Sequence, residues 1–383
     1  MQCQQGIWLE GGGMGNLGEN IAKLGFGLMR LPKLEDGETI DVEQTKQMVD
    51  AFMDAGCTYF DTARAYGESE NVIRQALVER YPRDSFYLAS KNAAWIGPKS
   101  HDEARHDFDV TLENTGVEYL DFYLIHNTGS FRTKVFDDLK MWDFVKQLKA
   151  DGKVRHIGFS HHDNADVLES IIEAHPEMEF VQLQVNWADW ESSTTQSRRC
   201  LEVARKHGLP VVVMEPVRGG TLANPPEPVA NILHDARPDW TYVEWALKFA
   251  FDQEGVLTVL SGMSSLEQMQ QNLATFRSHT GLTADEYAAL KAAQHKLEEM
   301  LDNPCTSCQY CMKVCPKDIK IAQIMEARNR AAIYDETNGK NWYGFNTTIG
   351  KASDCIQCFS CEGACPQHIE IVGKLADAAE RFE

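Results

Sequence analysis

Between residues 22 and 280, short continuous apolar runs alternate with longer stretches whose apolar positions recur at helical spacing. The short runs are Leu24–Leu28, Thr58–Asp61, Phe86–Lys91, Asp121–His126, Val154–Ser160, Phe180–Val185, Pro210–Met214 and Leu257–Gly262, and each reads as a strand. The amphipathic stretches between them read as helices: Val42–Ala55, Ser69–Arg80, His101–Thr115, Val135–Ala150, Asn164–His175, Thr195–His207 and Tyr242–Phe251. Strands alternating with crossover helices predict a parallel sheet, and eight strands is the number that closes an α/β (β/α)8 TIM barrel. An open doubly wound sheet is the competing architecture. It would carry G-x-G-x-x-G after its first strand, and none is there; Gly11–Gly13 precedes any strand and reads as tail.

Two more helical stretches, Ser265–Phe276 and Asp285–Leu301, follow the eighth strand, and Asn303-Pro304 stops the second. The pattern divides the chain into a tail at 1–19, a barrel at 20–282, a connecting helix at 283–302 and a small domain at 303–383. A helix is expected at Ala322–Tyr334, with Trp342, Tyr343 and Phe345 packing on the barrel or covering whatever the small domain holds.

The small domain contains eight of the chain's eleven cysteines in two identical runs. Cys305, Cys308, Cys311 and Cys315-Pro316 form one; Cys355, Cys358, Cys361 and Cys365-Pro366 form the other. Structural zinc takes paired C-x2-C knuckles and has no use for a third cysteine at this spacing. A disulfide framework belongs to short chains in oxidising compartments. The spacing C-x2-C-x2-C-x3-C-P resembles the bacterial two-cluster ferredoxins, in which the fourth cysteine of each run ligates the other run's cluster. That resemblance implies two [4Fe-4S] clusters in an α+β ferredoxin-like fold. Cys305, Cys308, Cys311 and Cys365 would hold one cluster, and Cys355, Cys358, Cys361 and Cys315 the other. Cys3, Cys57 and Cys200 stand outside the pattern, and Cys57 reads as a small buried thiol.

A formal net charge of -20 with no Lys/Arg block among aromatics argues against nucleic acid and anionic membranes as partners. No signal peptide or membrane-spanning apolar run is seen, so a reducing cytoplasm is expected.

Active sites of such barrels lie at the C-terminal strand ends. Those ends present Asp61 after the second strand, Tyr66 in the loop beyond it, Lys91 after the third and His126 after the fourth. Tyrosine ionises near ~10 and needs a cation beside it to trade protons near neutrality. Lys91 supplies that charge, Asp61 holds the lysine, and His126 can hydrogen-bond a carbonyl oxygen. Singly, these four read as a helix cap, a rim aromatic, a surface ion pair and a core histidine. On consecutive strand ends they read as an acid–base set.

The stretches Leu24-Gly-Phe-Gly-Leu-Met-Arg-Leu-Pro32 and Phe60-Asp61-Thr62-Ala63-Arg64-Ala65-Tyr66-Gly67 resemble the opening of the aldo-keto reductases. Lys91 in Ala89-Ser-Lys91 and His126 in Leu124-Ile-His126 fall where that family keeps its lysine and histidine. With the cysteine tail, the chain is similar to the subgroup of aldo-keto reductases fused to a ferredoxin-type domain. The resemblance implies reduction of a small aldehyde or ketone by NADPH, with NADH as the alternative. Tyr66 would be the proton donor, Lys91 and Asp61 its tuners, and His126 the orienter. It also implies a cofactor groove of Ser160, Gln182, Asn186, Met214, Pro216, Arg218, Gly262, Ser264, Gln268, Gln271 and Asn272. The helix start after Gly262 offers N–H groups to a phosphate; Ser264 reads equally as a helix cap.

The chain departs from that family pattern in three places. Met214 stands where an aromatic usually stacks on the nicotinamide, and His161-His162 follow Ser160 where Asn is frequent. No Lys or Arg lies in Met263–Asn272 to grip a 2′-phosphate, which leaves Arg218 or Arg277. Trp95, Trp187 and Trp190 read as pocket lining or as packing under a loop.

Three readings follow: an NAD(P)H carbonyl reductase whose clusters are structural or transfer electrons, a reductase fed through the clusters by ferredoxin or flavodoxin, and a non-catalytic redox sensor. The second must join a one-electron cluster to two-electron hydride chemistry, and no flavin motif is seen. The third has no use for a tuned tyrosine.

Overall fold

The computed structural model describes residues 17–96, 100–130, 132–192, 195–305, 309–365 and 367–383. Cys3, Gly11–Gly13, Cys308 and Pro366 lie outside them. Contacts divide the chain into two compact units. One comprises 1–186, 195–216 and 247–281; the other comprises 187–194, 217–246 and 282–383.

The first unit is built on eight parallel strands, β1 (Leu24–Gly27), β2 (Tyr59–Asp61), β3 (Tyr87–Asn92), β4 (Leu120–Thr128), β5 (Val154–His161), β6 (Phe180–Gln184), β7 (Val211–Met214) and β8 (Val256–Gly262). They pair in sequence order, and β1 closes on β8 with Leu24 opposite Val259. All eight predicted runs are strands, and most of their residues are buried on both faces, where largely apolar sequence is tolerated; Arg155 in β5 is an exposed exception. Tyr59, Phe122, Phe180, Val212 and Leu260 fill the interior, with Tyr59 and Phe122 meeting edge to face at 5.0 Å. Leu17 and Ile21 pack against this core. Gly158 is required there: a Cβ would stand 2.5 Å from the Phe180 carbonyl oxygen.

The predicted helix Val135–Ala150 is two helices, Thr133–Asp138 and Met141–Ala150, because Lys140 between them is left-handed (φ 53°).

In the second unit, helices Glu227–Ala236 and Ala284–Glu299 precede the cysteine-rich tail. Ala284–Glu299 opens with a capping box between Thr283 and Glu286. The tail shows its internal repeat in backbone geometry. Gln309 and Phe359, each four residues after the first cysteine of its run, are left-handed at φ 61°. Asp318 and His368, each three after the last cysteine, sit at φ 50° and 52°. Helices Ile321–Ile333 and Ile371–Phe382 then begin at equivalent positions. The resemblance to ferredoxins implies an α+β tail; among the described residues this stretch forms helices and loops with no strand. The segment between the runs forms helix Glu336–Asn346 after Ile321–Ile333, and their close approach needs Gly339, where a Cβ would lie 2.6 Å from the Ala331 Cβ. Tyr343 is buried, donates to Glu383 at 2.5 Å and accepts from the Ala352 N–H at 2.8 Å, whereas Phe345 is exposed.

Candidate active site and cysteine cavities

Parallel pairing puts Asp61, Lys91 and His126 at neighbouring positions on the C-terminal ends of β2, β3 and β4. Lys91 is wholly buried and donates to Asp61 Oδ1 at 2.5 Å and to the Thr62 carbonyl oxygen at 2.8 Å. Its ammonium lies 4.9 Å from the Tyr66 ring centroid. The His126 imidazole meets the Tyr66 ring edge-on at 5.7 Å. The four residues are therefore one cluster. A buried, doubly bonded ammonium is costly to hold without its carboxylate, so each partner fixes the other's position.

Burial disfavours the charged Lys91, but Asp61 and Tyr66 outweigh it and keep the ammonium protonated above the ordinary lysine range. For Tyr66 the balance differs from the expectation that Lys91 brings it toward neutrality. Lys91 does act downward through charge and hydrogen bonding, but burial is larger and the phenol is held above its usual value. Tyr66 therefore keeps its proton. Burial, aided by Lys91, pushes His126 well below the ordinary histidine value, so the imidazole is neutral. Its Nδ1 is buried with no partner among the described residues. Burial likewise pushes His162 down to about 3.

The remaining candidates divide by place. Ser160 and Gln182 face each other in register on β5 and β6. Ser160 Oγ accepts the Asn127 N–H at 2.7 Å, and Gln182 Oε1 is buried with no partner among the described residues. Met214 ends β7, and Glu215 beyond it is left-handed (φ 53°), which turns the chain into Pro216. Asn186 donates to the Glu215 carbonyl oxygen at 3.3 Å.

After β8, Gly262 leads to helix Leu266–Ser278, whose N-cap is Ser265, not Ser264. Ser264 instead donates through Oγ to the Arg30 carbonyl oxygen at 2.8 Å. The N–H groups here are already met: Ser264 by Gln268 Oε1, Leu266 by Gln44 Oε1 and Gln268 by Ser265 Oγ. A phosphate would replace the two glutamine amides. Gln271 donates to Glu267 at 3.2 Å, and Asn272 is buried and donates to Ser261 at 3.0 Å. Arg218 belongs to the other unit. Its guanidinium donates to Asp189 at 3.1 Å and to the Tyr334 hydroxyl, with Glu326 3.8 Å away. Its charge is answered by these groups.

Two small cavities lie in the tail. Cys305, Cys311 and Cys365 line the first, and Cys315, Cys355, Cys358 and Cys361 the second, so each receives the last cysteine of the opposite run. Ile321 lies between both, with Met325 and Ile369 on one side and Val372 and Leu375 on the other. Soft thiol donors in apolar pockets suit iron–sulfur clusters.

The Aldo/keto reductase family model matches residues 23–295, and a 4Fe-4S dicluster domain model matches 304–370. The chain belongs to the aldo/keto reductase family. An aldo-keto reductase of Mycolicibacterium vanbaalenii is 30% identical over 256 residues, covering 66% of this chain and 84% of its own. The holo form of an aldo-keto reductase from Bacillus halodurans superposes with a TM-score of 0.59 at 23% identity, over 71% of this chain and 92% of that one. An aldo-keto reductase from Klebsiella pneumoniae, solved in complex with NADPH, superposes with a TM-score of 0.56 at 24% identity, over 71% and 90%. The protein is thus an aldo-keto reductase-type oxidoreductase with a 4Fe-4S domain appended.

Proposed function

We propose that the barrel reduces a small aldehyde or ketone with NADPH, NADH being the alternative, and that the cluster Asp61, Lys91, Tyr66 and His126 carries the chemistry. The observation that supports this most is the buried Lys91 held between Asp61 and Thr62 beside Tyr66. The nicotinamide supplies the hydride when bound. The Tyr66 phenol gives its proton to the carbonyl oxygen as negative charge develops there, and the Lys91 ammonium stabilises the phenolate left behind. Neutral His126 donates a hydrogen bond to the same oxygen, orienting the carbonyl without adding a proton source. Gln182, with its unpartnered buried oxygen, and Ser160 suit a carboxamide. Met214, Pro216, Gly262, Ser264, Gln268, Gln271 and Asn272 would line the rest of the groove.

In the domain 303–383, reached through the connecting helix, two [4Fe-4S] clusters would occupy the two cavities, with Cys308 completing the first set. A second reading concerns their role. Ile356 and Phe359, beside the second cavity, are 57% and 56% exposed, and Lys317 lines it. Their equivalents in the other run are the polar Thr306, Gln309 and Gln367. An apolar rim with Lys317 at its edge offers a docking face beside this cavity for a one-electron carrier such as ferredoxin or flavodoxin, through apolar contact against the repulsion of a chain of net charge -20. No helix among the described residues is long and apolar enough to cross a membrane; a reducing cytoplasm is the setting such thiolates need.

Anaerobically prepared holoprotein, mixed with NADPH and an aldehyde panel, should oxidise the nicotinamide with equimolar alcohol formed. Nicotinamide that stays unoxidised, with any aldehyde turnover driven only by reduced ferredoxin, would overturn the reading.

A further inference from the structure

Beyond His126, β4 carries Asn127 in a left-handed conformation (φ 64°), and the loop after it brings Arg132 back toward the strand end. Arg132 Nη1 donates to Asn127 Oδ1 at 3.0 Å. Its guanidinium lies 5.2 Å from the Trp95 ring centroid, and Trp95 meets the His126 ring edge-on at 5.9 Å. Side chains thus run in sequence Tyr66, His126, Trp95, Arg132, from proton donor to guanidinium. Each step is 5.2–5.9 Å.

The charge balance along this line is uneven. Lys91 is answered by Asp61, and His126 and His162 are held neutral. Among the described residues no carboxylate lies within 4.0 Å of the Arg132 guanidinium, although most of the arginines placed here have one. Arg132 is exposed, and partial desolvation of its guanidinium lowers its basicity with no carboxylate acting against it. Glu215, just beyond β7, accepts from Gln184 at 3.0 Å, and its charge acts on Tyr66 at the donor end of the line, not on Arg132. The Trp95 Nε1 atom is buried and unpartnered among the described residues. A guanidinium lying over an indole and held by one amide has further N–H groups in a fork suited to an oxyanion.

We propose that Arg132 and Trp95 form an anion subsite, so that the substrates are aldehydes or ketones bearing a carboxylate or phosphate a few bonds from the carbonyl. This rests on the carbonyl-reductase reading and names its substrate class. Arg132 touches the far end of the substrate, so it sets KM more than kcat.

The test uses holoprotein and NADPH with three probes: succinic semialdehyde, glyceraldehyde 3-phosphate and neutral butanal. Wild type should prefer at least one anionic probe. Arg132→Gln should cut that preference at least tenfold, through KM, and Arg132→Lys should restore part of it. Whichever anion loses more on Arg132→Gln identifies the anionic group. Equal losses for anionic and neutral probes, or no anionic preference in wild type, would overturn the subsite while leaving carbonyl reduction standing. If none of the three is turned over, the carbonyl-reductase reading fails instead. Calorimetric titration of succinic semialdehyde then decides the subsite alone: binding at least tenfold weaker in Arg132→Gln supports it, and equal binding rejects it.

Discussion

In its proposed role as proton donor, Tyr66 has to keep its proton until the carbonyl arrives. Burial lifts its ionisation above the usual tyrosine range while Lys91 stands ready for the phenolate. Tyr66→Phe should lower kcat/KM by at least about 100-fold, the scale of general acid catalysis, with NADPH affinity unchanged by fluorescence titration. Near-normal turnover would remove Tyr66 from the role. His126 has its ionisation pushed well below ~6.5. It stays neutral as pH falls through that value, so the reduction rate should show no inflection between about pH 8 and 5.5. An acid limb near 6.5 that disappears in His126→Asn would contradict this. These residues were readable because strand ends advertise them. Arg132 was not, since a single arginine in a loop has no periodicity; only the fold brings it onto Trp95.

Among elements, the strands were legible because two-sided burial writes itself as short, largely apolar runs. Helices with ambiguous punctuation were harder. Adjacent serines hid which one caps helix Leu266–Ser278, and Pro226-Glu-Pro228 hid the start of Glu227–Ala236, where proline suits the first turn. Glu336–Asn346 contains Gly339 and Gly344, poor helix formers, and exists because Asp335 caps it and Gly339 lets it approach Ile321–Ile333. Ser265→Ala should cost about 1 kcal/mol by denaturant unfolding. Gly339→Leu should do more. It should part the two helices beside the cysteine cavities and lower iron retention on anaerobic gel filtration, and full retention would show that the close approach is dispensable.

At the scale of the whole molecule, a barrel suited to hydride transfer is joined to a tail suited to single electrons. The tail's duplication was plain in the cysteine spacing, whereas its all-helical described structure was not, because left-handed turns and thiols rather than a strand ladder shape the loops. Anaerobic preparation should give about eight irons per chain. Cys315→Ala should cost the cluster of the opposite run, seen as an iron loss with Cys305, Cys311 and Cys365 still holding theirs; loss of the first-run cluster instead would contradict the crossed ligation. The central claim is that the barrel, not the tail, delivers the reducing equivalents to the carbonyl. Single turnover of holoprotein with NADPH deuterated at the transferring position tests this most directly, the product being weighed by mass spectrometry. Direct transfer predicts alcohol carrying one deuterium at the former carbonyl carbon. Unlabelled alcohol from both deuterated faces of the nicotinamide would mean that the electrons travelled separately, and would contradict it.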